Sequence, residues 1–117
     1  MNLEPEILRL QTRLVVGKLQ ILSSSGEVFN HVDSGGPMWS GDGDRRLELP
    51  VTFTTPFSAA PNVTLGLTGI DSAHDQNLRL LLSVQDVTLT GFTLLCSTWG
   101  DTHIARASAS WQALGPI

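Results

Sequence analysis

The segment TWGDTH, from Thr98 to His103, places an indole ring, a carboxylate and an imidazole within five positions. Trp99, Asp101 and His103 are residue types that serve catalysis, metal binding or sugar binding. Gly, Asp and Thr are also common in turns between strands. The motifs and elements around this segment therefore have to distinguish between a binding site and a simple turn.

Motifs of catalytic and metal centres are missing from the sequence. No Ser lies in a nucleophile-elbow motif, no two His have a zinc-like spacing, and there is no phosphate-binding Gly loop. GDGD, from Gly41 to Asp44, resembles part of a calcium loop, but the Glu at the twelfth position and the flanking helices are missing. We interpret GDGD as a turn, and we expect no enzymatic activity, metal or cofactor.

Sugar binding requires three kinds of groups. An aromatic face packs on the sugar ring, carboxylates accept from hydroxyls, and Arg or amide groups donate to sugar oxygens. Trp99 supplies the ring, and either Asp42 or Asp44 supplies the carboxylate. Arg79 with Asn77 supplies the donors. Each residue also has a structural interpretation: Trp99 as the edge of the core, Arg79 as an interface ion pair, and the Asp residues as turn formers.

Composition and charge restrict the class of protein. The chain has 117 residues, 41% of them hydrophobic, which suits one folded domain. Its net charge of −4 argues against a nucleic-acid partner. The N-terminus MNLEPEILRL has no Sec signal pattern, and no segment is long enough for membrane insertion. We expect synthesis in the cytoplasm, and an extracellular location after release or as part of a virion-like particle.

The N-terminal segment EPEILRLQTRL, residues 4–14, predicts a short helix with Pro5 in its first turn. Its apolar positions form a heptad-like stripe: Leu3, Ile7, Leu10 and Leu14. Such a helix is marginal alone, so it needs either its own domain or the same helix of sister chains as a partner. We assign residues 1–14 to an oligomerisation or docking helix and residues 15–117 to the main domain.

Apolar residues alternate with a period of two through most of the remaining chain. Six segments have this pattern: 15–22, 47–53, 62–70, 77–87, 91–99 and 103–111. Gly, Pro and Asp separate them, and a long loop covers residues 32–46. The pattern predicts an all-β fold, a six-stranded antiparallel β-sandwich with a short N-terminal helix.

The strand faces opposite the predicted core carry an unusual mixture of residues. Leu81, Leu95 and Ile104 lie among Arg79, Arg106 and several Ser. A face open to water is usually more polar, so the mixture is typical of a subunit interface. Together with the heptad stripe, it predicts a homotrimer.

Five motifs, in order and spacing, carry a resemblance to a known family. They are VTFTTPFSAAPNV, QNLR, TGF, STWGDT and SWQA, between Val51 and Gly115. This stretch resembles the H-type lectin domain of the snail agglutinins and of the discoidin C-terminal domains, and VVGKLQI resembles the family's first strand. The resemblance implies a trimeric β-sandwich with metal-independent sites for galactose or N-acetylgalactosamine between subunits.

The resemblance also implies roles for particular residues. Asp42, with Asp44 in reserve, matches the Asp that receives sugar hydroxyls. Arg79 is the Arg of QNLR, and Trp99 is the aromatic residue of STW.

Three positions depart from the snail type. Gly100 stands where a His is expected, and Ala105 stands at about the position of a Tyr. His103 is the candidate replacement for these missing groups. Cys96, the single cysteine, has no partner for the snail-type disulfide, and we predict that it is a buried apolar residue.

Two functions are consistent with these features. The first is a multivalent, trimeric carbohydrate-binding module that recognises cell-surface glycans, for cell adhesion or receptor binding. Such a module suits the receptor-binding tip of a phage-like particle, with the N-terminal helix contacting other particle or fibre proteins. The second is a structural β-sandwich adaptor or fibre module without sugar binding, which the changes at the snail-type His and Tyr positions favour.

Overall fold

The computed structural model describes residues 6–117 and contains two antiparallel sheets that face each other. Short helices precede and follow the first hairpin. In chain order the elements are α1 (Glu6–Arg9), β1 (Thr12–Val16), β2 (Leu19–Asn30), α2 (His31–Ser34), α3 (Pro37–Ser40), β3 (Arg45–Thr52), β4 (Asn62–Ser72), β5 (Leu81–Gln85), β6 (Gly91–Thr98) and β7 (Ile104–Pro116). The all-β, antiparallel prediction is confirmed.

The strands divide into a sheet of order β1-β2-β7-β4 and a sheet of order β3-β6-β5. Alternation with a period of two turns one face of the strands inward, as predicted, except in β1, whose residues are all exposed. The rings of Phe53, Phe92 and Trp111 meet in the core, with centroids 5.3–6.0 Å apart. Cys96 is buried, as predicted. No helix in the described part of the chain is long and apolar enough to cross a membrane.

The described residues contain seven strands, so the predicted count of six is wrong. The segment 15–22, predicted as one strand, holds the end of β1 and the start of β2. Val16 pairs with Leu19 across a tight turn. Gly17 has φ of 60°, a conformation that Gly adopts without steric cost. The alternation of the sequence continues through this turn, so the pattern does not show where β1 ends and β2 begins.

The predicted helix over residues 4–14 is also wrong beyond Arg9. The described helical turn is only Glu6–Arg9, and β1 begins at Thr12 and crosses the predicted domain boundary at residue 14. Pairing with β2 and the β-branched Val15 and Val16 favour the strand. Leu3, the first residue of the stripe, lies outside the described residues.

The described turn of α1 packs against its own domain. Ile7 is fully buried, and its carbonyl accepts a hydrogen bond from Trp111 Nε1 at 2.8 Å. The predicted partners of the N-terminal helix were its own domain or the same helix of sister chains. The described turn, Glu6–Arg9, packs on its own domain. The oligomerisation or docking role of residues 1–14 stays a prediction.

The predicted position of Ile104 on the outer face is wrong. Ile104 is fully buried in the core, next to the buried Ala105. The pairing of β4 with β7 shifts between Asp71 and Ser72, and Ala105 is the extra residue on β7. Such a bulge changes the phase of the alternation, so that both neighbours are buried. On the outer face of the other sheet, Leu81 is more than half exposed, as expected.

Candidate functional site

The candidate residues lie on three loops at one end of the sandwich. They are the loop between α3 and β3, the segment between β4 and β5, and the turn between β6 and β7. Backbone hydrogen bonds join these loops. Gly43 N–H donates to Gly100 O at 2.9 Å, and Ala73 N–H donates to His103 O at 3.0 Å.

The segment before β5 holds Arg79 outside the strand ladder. Thr98 Oγ1 donates to the Arg79 carbonyl at 2.5 Å, and Thr102 Oγ1 donates to the Asn77 carbonyl at 2.6 Å. Both Thr side chains are buried. Because these carbonyls bond to hydroxyls, β5 begins only at Leu81, later than the alternation predicted.

The Arg79 guanidinium lies against the turn between β6 and β7. Its Nη1 donates to Asp101 Oδ1 at 2.7 Å and to Thr102 Oγ1 at 3.1 Å. The hydrogen bond from Arg79 lowers the pKa of the Asp101 carboxyl below its usual value. Asp101 is therefore the ion-pair partner of Arg79.

Gly100 supplies the space for this arrangement. It has φ of +69°, and an added Cβ would lie 2.9 Å from Arg79 Nη1. The Arg79 guanidinium thus lies against the space that a side chain at position 100 would enter. Ala105, at about the Tyr position, is buried and contributes no polar group.

His103 and Asp42 form a second part of the site. His103 Nε2 lies 3.1 Å from Asp42 Oδ1, and Gln76 Nε2 lies 2.7 Å from His103 Nδ1. The Trp39 ring of α3 meets the imidazole edge-on, with centroids 6.4 Å apart. Sequence reasoning missed Gln76 and Trp39, although Gln76 lies in the QNLR motif.

Trp99 lies on the other side of the turn, beside a separate cleft. Trp99 is 43% exposed, and the cleft has a volume of about 290 Å³. Its other lining residues are Asp44, Arg45, Arg46, Ser97 and Thr98. The structure thus places Trp99 with Asp44 at this cleft, and the remaining candidates in the hydrogen-bonded network: Asp42, Arg79, Gly100 and His103.

Arg45 joins the two sides of the site. Its guanidinium is buried and donates to the carbonyl oxygens of four residues: Pro37, Met38, Gly43 and Gly100. These bonds fix the loop before β3 against the turn after β6. Within residues 6–117, no cluster of three or more His, Cys, Asp or Glu is arranged to hold a metal ion.

Comparison with protein families identifies the domain that carries these residues. The model of the H-type lectin domain matches residues 48–114, more than half of the chain. The chain belongs to the H-type lectin domain family. The matched region contains Arg79, Trp99, Gly100 and His103, whereas Asp42 and Asp44 precede it.

Individual proteins share this lectin domain's sequence or fold. "ATP synthase subunits region ORF 7" of Fuscovulum blasticum is 42% identical over 90 residues, which are 77% of this chain and 78% of that protein. Two discoidin II structures from Dictyostelium discoideum have TM-scores of 0.72 and 0.74 at 21% and 20% identity. They match 89% and 86% of this chain, which spans only 41% and 38% of theirs. An R1-type pyocin tail fibre has a TM-score of 0.50 at 13% identity, over 90% of this chain and 84% of its own.

Proposed function

We propose that this H-type lectin domain is a carbohydrate-binding module, without catalytic activity, that recognises cell-surface glycans. The observation that carries the proposal is the position of Trp99. This residue is 43% exposed at the end of the sandwich, beside a cleft that Asp44 and Arg46 also line. An exposed indole beside carboxylate and guanidinium groups offers stacking, acceptors and donors together.

The network beside this cleft supplies further polar groups for a ligand. The Asp42 side chain is 77% exposed and has only one oxygen directed to His103. Asp101 is likewise exposed, although it pairs with Arg79. We propose a ligand of the galactose or N-acetylgalactosamine type, which the family favours. The changes at Gly100 and Ala105 would alter how such a sugar is held.

A homotrimer is part of this proposal. Exposed apolar side chains support it: Leu81 on the outer face of β5, and Leu14 and Val16 on the edge strand β1. Large exposed apolar groups on a protein surface are typical of protein interfaces. Three sites on one rigid assembly would bind a glycan surface with much higher avidity than one site.

The receptor-binding tip of a phage-like particle is the biological setting that we propose. The chain would be made in the cytoplasm and reach the outside after release or as part of the particle. The fold shared with a pyocin tail fibre is compatible with this setting. It is equally compatible with the second candidate, a structural fibre or adaptor module, which the loss of the His and Tyr at Gly100 and Ala105 favours.

A glycan-array screen of the purified protein, with its mass measured by light scattering, tests the proposal. We expect a trimer that binds a defined set of glycans, and a Trp99→Ala variant that stays trimeric and loses binding. Leu89→Ala is the matched control, because Leu89 is 44% exposed and lies in the β5–β6 turn, at the other end of β6. A trimer that binds no glycan would favour the structural module instead.

A further inference from the structure

Gln76 contacts both the main chain and the ring of His103. The His103 backbone N–H donates to Gln76 Oε1 at 3.0 Å, and Gln76 Nε2 lies 2.7 Å from His103 Nδ1. The two residues are 27 positions apart, on the segment before β5 and at the start of β7. The two polar atoms of one amide thus contact the backbone and the Nδ1 atom of the same histidine, and these contacts hold the imidazole in place.

The donors and acceptors in this contact fix the tautomer of the ring. A backbone N–H can only donate, so the Gln76 atom facing it must be the amide oxygen. The amide NH₂ therefore faces His103 Nδ1, and an NH₂ group can only donate. Nδ1 must then be an acceptor without a proton. In the neutral ring the single proton is on Nε2.

The Nε2 proton points at Asp42. Nε2–H donates to Asp42 Oδ1 at 3.1 Å, while Trp39 borders the ring. Because the ring occupies Oδ1, the carboxylate is held in one orientation with Oδ2 directed elsewhere. The Asp42 side chain is 77% exposed, so it presents an acceptor to an approaching hydroxyl group.

We propose that Gln76 is a positioning residue of the sugar site. It fixes His103 as the Nε2–H tautomer, and through that ring it orients Asp42 as an acceptor for a ligand hydroxyl. The chain of contacts runs from the Gln76 amide through the His103 ring to a carboxylate at the surface. The part that concerns the ligand rests on the proposed function, whereas the tautomer does not.

Nitrogen-15 NMR of the imidazole at pH 7.5 tests the tautomer without any ligand. In the wild type we expect a protonated Nε2 and an unprotonated Nδ1. In Gln76→Glu the carboxylate can only accept, so Nδ1 must gain a proton while the backbone contact is kept. A merely structural role for Gln76 would leave the Nδ1 signal unchanged between the two proteins.

Glycan titration tests the consequence for binding, with a glycan identified on the array as the probe. Gln76→Met keeps the length of the side chain and removes the amide. We expect it to weaken binding about three- to tenfold, as for the loss of one oriented hydrogen bond. Gln85→Met, in the exposed last position of β5, is the matched control and should bind like the wild type.

The outcomes separate this inference from the proposed function. A protonated Nδ1 in the wild type, an unprotonated Nδ1 in Gln76→Glu, or full glycan affinity in Gln76→Met would each overturn the role of Gln76. A wild type that shows the expected tautomer but binds no glycan would refute the proposed function, and with it the ligand-directed part of the inference.

Discussion

Replacing Gly100 by Ala tests how the end of the sandwich is built. Gly100 has φ of +69°, and an L-residue in that conformation costs about 1–2 kcal/mol. The new Cβ would also lie 2.9 Å from Arg79 Nη1 and 3.1 Å from Cζ. These atoms end a flexible side chain, so we expect Arg79 to move and to lose its bond to Asp101. The exposed ion pair adds little to stability, so the backbone cost dominates.

Thermal unfolding and carboxyl NMR measure the two effects separately. For a chain of this size we expect the midpoint to fall by about 4–8 °C. The pKa of Asp101, which the hydrogen bond from Arg79 holds below its ordinary value, should rise toward that value. Any glycan affinity that depends on Arg79 should fall in parallel.

Gly17→Ala is the control for the backbone cost alone. Gly17 has φ of +60° with nothing within 4 Å of an added Cβ, and it lies in the β1–β2 turn. It should lose similar stability and leave the pKa of Asp101 and glycan binding unchanged. The reasoning is refuted if Gly100→Ala keeps the lowered pKa of Asp101, or if Gly17→Ala raises it equally.

Three further predictions concern groups around the site and core. Burial raises the pKa of the Cys96 thiol to about 11, so a thiol reagent at pH 8 should label Cys96 only after denaturation. Rapid labelling of the native protein would contradict the burial of this thiol. Burial lowers the pKa of His31, whose Nδ1 accepts from Met38 N–H at 3.1 Å. The stabilisation by the neutral His31 ring is therefore complete above the unfolded-state pKa of about 6.5 and is lost as the pH falls through the lowered native pKa. Thermal unfolding at pH 7.5 and pH 5 should show a smaller pH dependence in His31→Gln than in the wild type. Arg45→Lys should destabilise the fold by about 1–3 kcal/mol in urea unfolding, because an ammonium group cannot reach the four carbonyls that the guanidinium joins, and an unchanged midpoint would contradict that role.

The sandwich could be predicted because period-two alternation directly reports which strand face is buried. Leu47, Leu49, Val51 and Phe53 all pack inward as expected. The prediction failed where alternation continues through a change of direction, as at the Gly17 turn between β1 and β2. It failed again at the bulge around Ala105. An unpaired residue there reverses which alternate positions of β7 face the core, and no residue type in the sequence indicates the bulge.

The site could be predicted only by residue type and motif. Trp99 and Arg79 were found because they lie in STW and QNLR. Trp99 lies at the cleft and Arg79 lies in the hydrogen-bonded network because they are on opposite sides of the five-residue turn between β6 and β7. No linear pattern contains that information. The contacts of Arg45 with Gly100 and of His103 with Asp42 join positions 55 and 61 residues apart.

Glycan binding by the wild-type protein, measured beside Trp99→Ala on the same array, is the decisive measurement. If this H-type lectin domain is a carbohydrate-binding module, the wild type binds a defined set of glycans and Trp99→Ala loses them while keeping its fold and mass. A wild type that binds none, or a Trp99→Ala variant that binds with full affinity, would contradict the proposed site.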